Sequence, residues 1–440
     1  MRLMSKICCS LSFVLALFFS SSFAIAQNMG SETTERLTAV KRSAIVAKIA
    51  EIFNEYYPLA DVAADMKKDL EQKHKKGHYD RFTDIAAFTA QLTSDLRGLN
   101  NDQHIKVWPY EKIPDDLLAE KKLGSPDDNY GFRKVVLLPG NIGYIELTTF
   151  YNPEHAAPTA IAAMNFVAHC QVLIIDLRLN GGGDMVMANF LSSYFFEQST
   201  HLTDVYTRKE NKTEQIWTQN WVPGPRLANV PLYILLSRFS YSAAEDFSYQ
   251  LQQLGRAVII GQQTRGGAHS VRYMSFPELS INLKVPYTRD INPYSKTTYS
   301  GGVIPDVVVP TRDACLVAHS EAAKKLLQTE TSKEKRYKLE WVLSGNQVDL
   351  EPVVLDDAKL PEYVGVYGDV HVTLEYGRLF YQRKNKTKFE LIPMNHDLFK
   401  YRDKRDSHYR LQFSRDEQGH VIELYEHDSD GDTYPVQKRR

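Results

Sequence analysis

Between Val172 and Gly261 the chain repeatedly sets a short apolar run before a turn and an amphipathic helix, and this alternation limits the folds open to it. Val172 to Ile175 runs through Asp176-Leu177-Arg178-Leu179-Asn180 into Gly181-Gly182-Gly183 and then a helical pattern reaching about Phe196. Pro231 to Leu236 runs into Tyr241-Ser242-Ala243-Ala244-Glu245, after which Ala244, Phe247, Leu251 and Leu254 fall at helical spacing up to a stop at Gly255. Ala257 to Gly261 is the next apolar run. Uninterrupted apolar strands alternating with amphipathic helices are the order expected for stacked βα units. The alternation extends from Phe132 to Pro310, which is read as one α/β core.

Ser242 stands where such a strand turns into a helix. A hydroxyl there lies beside unpaired backbone N–H groups and the positive end of the helix dipole, both of which favour developing negative charge. That makes it a candidate nucleophile. Ser242-x-x-Glu245 is equally a capping box, and the local pattern leaves both roles open. The three glycines at 181–183 let backbone amides approach a ligand closely, as an oxyanion site requires.

Together with Thr264-Arg265-Gly266-Gly267-Ala268-His269 and Gly302-Val303-Ile304-Pro305-Asp306, these segments resemble the tail-specific or C-terminal processing protease family, in the branch of interphotoreceptor retinoid-binding protein and the tricorn core. The resemblance implies a crotonase-like (ClpP-like) spiral ββα core acting as a serine peptidase on peptide or protein substrates, with no cofactor and no metal. It implies Ser242 as nucleophile and the backbone amides of Gly182 and Ala243 as oxyanion donors. Asp102-Gln103-His104 resembles the Asp-x-His element of that branch, which makes His104 the candidate base. His269, in the glycine loop, is the rival base or a substrate contact, with Gly181, Gly266 and Gly267 beside it. Two family positions differ: the lysine of the serine–lysine relatives falls at Gly267, and the tricorn-type glutamate at Tyr299. Asp290 and Glu278 match neither position and stay unassigned.

At 440 residues, with 43% hydrophobic and 24% charged, the chain exceeds the roughly 250–300 residues that one core usually serves. A helical pattern from about 38 to 99, with Ile85, Phe88, Leu92 and Leu96 on one face, predicts three helices. A second helical stretch follows Cys315, and after Leu350 the period changes to two, with Val370, Val372 and Leu374, then Tyr409, Leu411 and Phe413, on common faces. The expected organisation is a signal peptide at 1–26, an N-terminal helical domain and connection at 27–130, a peptidase core at 131–315, a helical linker at 316–349 and a C-terminal antiparallel β domain at 350–440. Asp428-Ser429-Asp430-Gly431-Asp432 is read as a polar hairpin turn, since its glycine is misplaced for a calcium loop.

Arg2 and Lys6 ahead of the apolar stretch Ile7–Phe19, then Ala24-Ile25-Ala26, fit a secretory signal cut before Gln27. The stretch is shorter than a bilayer span, so a periplasmic or secreted chain with no stable membrane span is expected. A net charge of −1 without basic blocks argues against nucleic acid. Beyond the signal only Cys170 and Cys315 remain, without metal-ligand spacing. The reading is an exported serine peptidase. Its alternatives are a weak or inactive binding protein for apolar ligands or peptide tails on the same scaffold, and a hydrolase of another ester or amide.

Overall fold

The computed structural model describes residues 37–115, 124–402 and 409–437; the expected signal peptide lies outside them. Helices α1 (Ala39–Tyr56), α2 (Ala60–Lys75) and α3 (Ile85–Asn100) open the chain. Thr38 and Asp84 cap α1 and α3 by accepting the amides of Lys41 and Ala87, at 3.2 and 2.8 Å. Phe88, Leu92 and Leu96 are fully buried and pack in one core with Ile45, Ile49 and Phe53. Asn101, at φ 50°, stops α3 in the left-handed conformation that asparagine tolerates, and the chain turns into β1 (Lys106–Pro109).

The core follows as β2 (Phe132–Leu138), β3 (Ile142–Leu147), α4 (Pro153–Phe166), β4 (Val172–Asp176), α5 (Met185–Ser192), β5 (His201–Thr207), β6 (Lys212–Trp217), β7 (Leu232–Leu236), α6 (Ala243–Gln253), β8 (Ala257–Gly261), β9 (Val271–Phe276), β10 (Ile281–Pro286), β11 (Thr288–Ile291) and β12 (Val307–Val308). Its main sheet has the order β12-β8-β7-β4-β3-β2, parallel throughout except for the β2–β3 pair. Every residue of β4 and β7 is buried, which accounts for their unbroken apolar sequences. Ser242 and the glycine run follow the carboxyl ends of these two neighbouring strands, where open parallel sheets place their sites.

The N-terminal helices are joined to this body by a sheet. Strand β1 pairs antiparallel with β10, Val107 opposite Leu283, and β10 pairs with β9. Ile281, Leu283 and Val285 share the core of α1 and α3. Burial of these side chains, at about 25 cal/mol per Å² of apolar surface, fixes the segment between α3 and β1 against the core.

Cys170 and Cys315 are not joined in a disulfide. After the core come α7 (Ala314–Leu327) and α8 (Lys333–Leu350), then an eight-stranded antiparallel meander: β13 (Gly365–Tyr367), β14 (Val370–Glu375), β15 (Arg378–Arg383), β16 (Lys388–Pro393), β17 (Leu398–Tyr401), β18 (Tyr409–Arg415), β19 (Val421–Asp428) and β20 (Thr433–Gln437). Asp428 accepts the amides of Asp430 and Asp432 at 3.0 and 2.9 Å, closing the β19–β20 hairpin. Among the described residues no helix is long and apolar enough to cross a membrane.

One feature of the core is electrostatically costly. Asp246, in the first turn of α6, and Asp290, on β11, are both buried, and Tyr299 donates to Asp290 at 3.2 Å. Burial pushes Asp246 up to about 6, while the Gln250 amide and Tyr299 pull the other way. Burial and the Asp246 charge also push Asp290 well above the usual carboxylate range. Because these folded values lie above the ~3.9 of an unfolded aspartate, the stability contributed by the protonated forms is complete below about pH 4 and is lost as pH rises through about 6 and beyond. Thermal unfolding followed from pH 5 to 8 tests this. Asp290→Asn is expected to lose less melting temperature across that interval than the parent chain; equal losses would contradict the assignment.

Candidate active site

Ser242 is held in a conformation that a non-glycine residue adopts only under constraint, φ 55° and ψ −119°. Such backbone costs about 1–3 kcal/mol and persists where its surroundings over-determine it. Here they do. The turn leading from β7 is closed by Ser240, whose hydroxyl donates to Leu177 O at 2.7 Å and accepts from the Ser237 amide at 3.0 Å. The Tyr241 amide donates to Asn180 O at 3.1 Å, tying the turn to the glycine run.

Glu245 secures the other side. Its carboxylate, completely buried, accepts the amide of Ser242 at 2.8 Å, of Gly266 at 2.7 Å and of Gly267 at 2.8 Å, as well as the Thr264 hydroxyl. The capping-box carboxylate is therefore present, and it also draws the loop after β8 against the serine turn. Burial pushes this carboxyl up, and the four donors oppose that push.

Gly182 lies on the serine. At φ 97°, a Cβ there would meet Tyr241 O at 2.7 Å and the Ser242 Cβ at 2.8 Å, so only glycine permits the approach. Its amide, expected as a free oxyanion donor, is instead donated to Asn180 Oδ1 at 2.8 Å. Asn180 is fully buried and anchored by its own Nδ2 on Leu147 O at 3.0 Å, so it captures the nearest amide of the loop. Ala243 differs: it is the first residue of α6, where an amide has no intrahelical acceptor. Gly181 is exposed and borders Phe239.

Both candidate histidines are buried, and one carboxylate lies between them. Asp102 Oδ1 accepts the His104 amide at 2.9 Å and lies 3.4 Å from His104 Nδ1. Asp102 Oδ2 lies 3.9 Å from His269 Nε2 and accepts the Tyr57 hydroxyl at 3.1 Å, which in turn accepts Asn100 Nδ2 at 2.7 Å. His269 Nδ1 donates to Thr288 O at 2.8 Å, so its remaining nitrogen faces Asp102. Arg97 holds the segment onto α3 through Ile105 O and Gln103 O, at 2.8 and 3.0 Å.

Burial holds both imidazoles below the ordinary histidine value, against the pull of Asp102. Burial would raise the Asp102 carboxyl, but the neighbouring His104 ring, the His269 charge and the His104 amide hold it below the usual range. Near neutral pH the pattern is thus two neutral rings about an ionised carboxylate.

The His104 ring packs 4.8 Å from the ring of Tyr241, the residue before Ser242, with the two planes tilted by 40°. A Cβ at position 267 would lie 2.6 Å from Tyr241 Cζ and 2.9 Å from His104 Cε1. The missing lysine now has a physical counterpart, since the space into which a side chain at 267 would grow is filled by these two rings. Tyr299, at the glutamate position, is buried and donates to Asp290, and Glu278 is exposed in the turn between β9 and β10. Sequence reasoning missed Tyr57, Asn100 and Arg97, which carry no local signature, and it left Asp102 without a role although it stands in the Asp-x-His element.

A test of the Glu245 anchor is Glu245→Gln, which turns an amide NH₂ toward donors that need an acceptor. It is expected to lower unfolding free energy by about 2–4 kcal/mol in urea titrations; a loss below about 0.5 kcal/mol would remove the anchor from the account.

Residues 141–309 match the model of peptidase family S41, and residues 35–128 match that of the N-terminal domain of peptidase S41 in eukaryotic IRBP. The tail-specific protease of Haemophilus influenzae is 32% identical over 130 residues, covering 29% of this chain and 17% of that protein. The carboxyl-terminal-processing protease of Picosynechococcus sp. is 26% identical over 171 residues, covering 38% and 39%. The chain therefore spans well under half the length of these relatives. Similar solved structures include the tricorn protease, at 12% identity and TM-score 0.39 over 70% of this chain and 37% of that one, and the photosystem II D1 C-terminal processing protease, at 21% and 0.34 over 40% and 45%. By its two matched segments, 35–128 and 141–309, this chain carries the domains of peptidase family S41.

Proposed function

We propose that the chain is an exported serine peptidase that cleaves peptide bonds in unfolded or C-terminal segments through an acyl-enzyme. The observation that carries this is the placement of His104, backed by Asp102, against Tyr241 in the space left open by Gly267 beside the strained Ser242 turn. Ser242 Oγ adds to the peptide carbonyl while His104 Nε2 takes its proton. The carbonyl π electrons move to the oxygen, which the Ala243 amide receives, with Gly182 shaping the pocket rather than donating. Collapse of this intermediate expels the amine, which takes the proton from His104. Water then repeats the sequence on the acyl-serine, with His104 again as base.

Asp102 orients His104 and balances the imidazolium. His269 faces the far oxygen of that same carboxylate, which favours a supporting role for it over that of rival base. The parallel strands joined through helices support the crotonase-like reading of the core, and the division at 27–130, 131–315, 316–349 and 350–440 is the organisation we adopt. Export rests on the leader pattern at 1–26.

Reaction of the mature chain with a fluorophosphonate tests the mechanism. Labelling is expected at Ser242 and to vanish in Ser242→Ala. His104→Ala is expected to slow it by roughly 10² to 10⁴, and His269→Ala by a smaller factor. A folded chain that takes up no label would return the question to the binding-protein alternative, and a larger loss for His269→Ala than for His104→Ala would exchange their roles. Since burial holds His104 below the ordinary ~6.5, the labelling rate should persist below that pH before it falls; a midpoint above about 7 would contradict a buried neutral base.

A further inference from the structure

The C-terminal meander carries features that the proposed chemistry does not use. Its strands curve so that one face forms an apolar core of Leu391, Phe399, Leu411, Phe413 and Leu424, covered at one end by Leu360 and Tyr363 of the turn at Asp357–Tyr363. Strand alternation carries the same face onward to Tyr381 and Arg383 on β15, Phe389 on β16, Tyr401 on β17, Tyr409 on β18 and Glu426 on β19. There the face is open, around a cavity of about 890 Å³, within the range of small-ligand sites and at the kind of β mouth where they occur.

The walls are aromatic. The Tyr381 and Tyr401 rings lie 5.0 Å apart and those of Phe389 and Tyr401 5.5 Å apart, while Tyr409 and Tyr434 are 45% and 47% exposed at the rim. A charged cluster sits inside. Arg383 donates to Glu426 at 2.7 Å, to the Tyr381 hydroxyl at 3.1 Å and to Asp369 at 3.4 Å, and Tyr381 donates to the second Glu426 oxygen at 2.6 Å. Three of the five guanidinium N–H groups are thereby used and two remain. Exposed Lys386 adds an ammonium with no ion pair among the described residues. Both carboxylates of the lining already accept from Arg383. Surplus donors beside an apolar, ring-lined wall are complementary to an apolar body that ends in an acceptor.

We propose that this open end is a binding site for an apolar or aromatic molecule carrying one carboxylate, its body against Tyr401, Tyr409 and Tyr434 and its carboxylate toward Arg383 and Lys386. Two sources share that chemistry, a free fatty acid and the α-carboxylate end of a peptide with an apolar last residue. The site does not depend on the serine mechanism. The four lining charges cancel, so recognition rests on directed N–H groups rather than on a net field.

The test is titration calorimetry on the full chain in the Ser242→Ala background, where hydrolysis cannot consume the probe. The probes are decanoate with decanamide, and N-acetyl-Leu-Phe with its amide. Saturable binding of either acid, at least about tenfold tighter than its amide, is expected, and weakening of about tenfold in Lys386→Ala or Tyr409→Ala, both at exposed positions that leave the fold intact by circular dichroism. Preference for decanoate assigns the site to lipid, and preference for the dipeptide assigns it to peptide tails. Failure of both acids to bind the folded chain, or equal binding of acid and amide, overturns the proposal.

Discussion

The buried carboxylate of Glu245 is the interaction on which the site depends. It gathers donors from the serine itself and from Thr264, Gly266 and Gly267 of the loop after β8, and so holds two separate pieces of chain at fixed distances. Together with the Ser240 and Asn180 bonds on the other side of the turn, it fixes the unfavourable backbone of Ser242 and the closeness of the glycine loop to Tyr241. A charge this deep is tolerated because several hydrogen bonds replace the water it has lost. Local strain at the serine is thus offset by a network rather than by the helix alone.

A second constraint brings in the imidazole. His104 belongs to the connection after the N-terminal helices, and the β1–β10 pairing and the shared core beneath it place that connection beside the loop after β8. Asp102 adds a local constraint, since it accepts the amide two residues on and faces the ring of the same residue. The arrangement is mostly prebuilt: helix α3, Arg97 and Tyr57 hold the segment from behind before any substrate arrives.

Several of these features were legible in the amino-acid sequence because they follow from local rules. The unbroken apolar runs of β4 and β7, the stop at Gly255, the helical face of Phe88, Leu92 and Leu96 and the period of two beyond Val370 each reflect which side of an element meets water. The double use of Glu245 was half legible: its cap depends on spacing, but its hold on Gly266 and Gly267 depends on a loop twenty-odd residues away. The Gly182 amide misled because its capture by Asn180 is a matter of side-chain geometry. Tyr57 reaches Asp102 only through tertiary packing, and no pattern in the text announces it.

A crystal structure of the chain after reaction with a small fluorophosphonate would test the account most directly. The prediction is a phosphorus bonded to Ser242 Oγ, a phosphoryl oxygen about 2.7–3.1 Å from the Ala243 nitrogen and His104 Nε2 within about 2.6–3.2 Å of the serine oxygen. An adduct on another residue, or one on Ser242 whose oxygen points away from Ala243 while His104 stays out of reach, would contradict it.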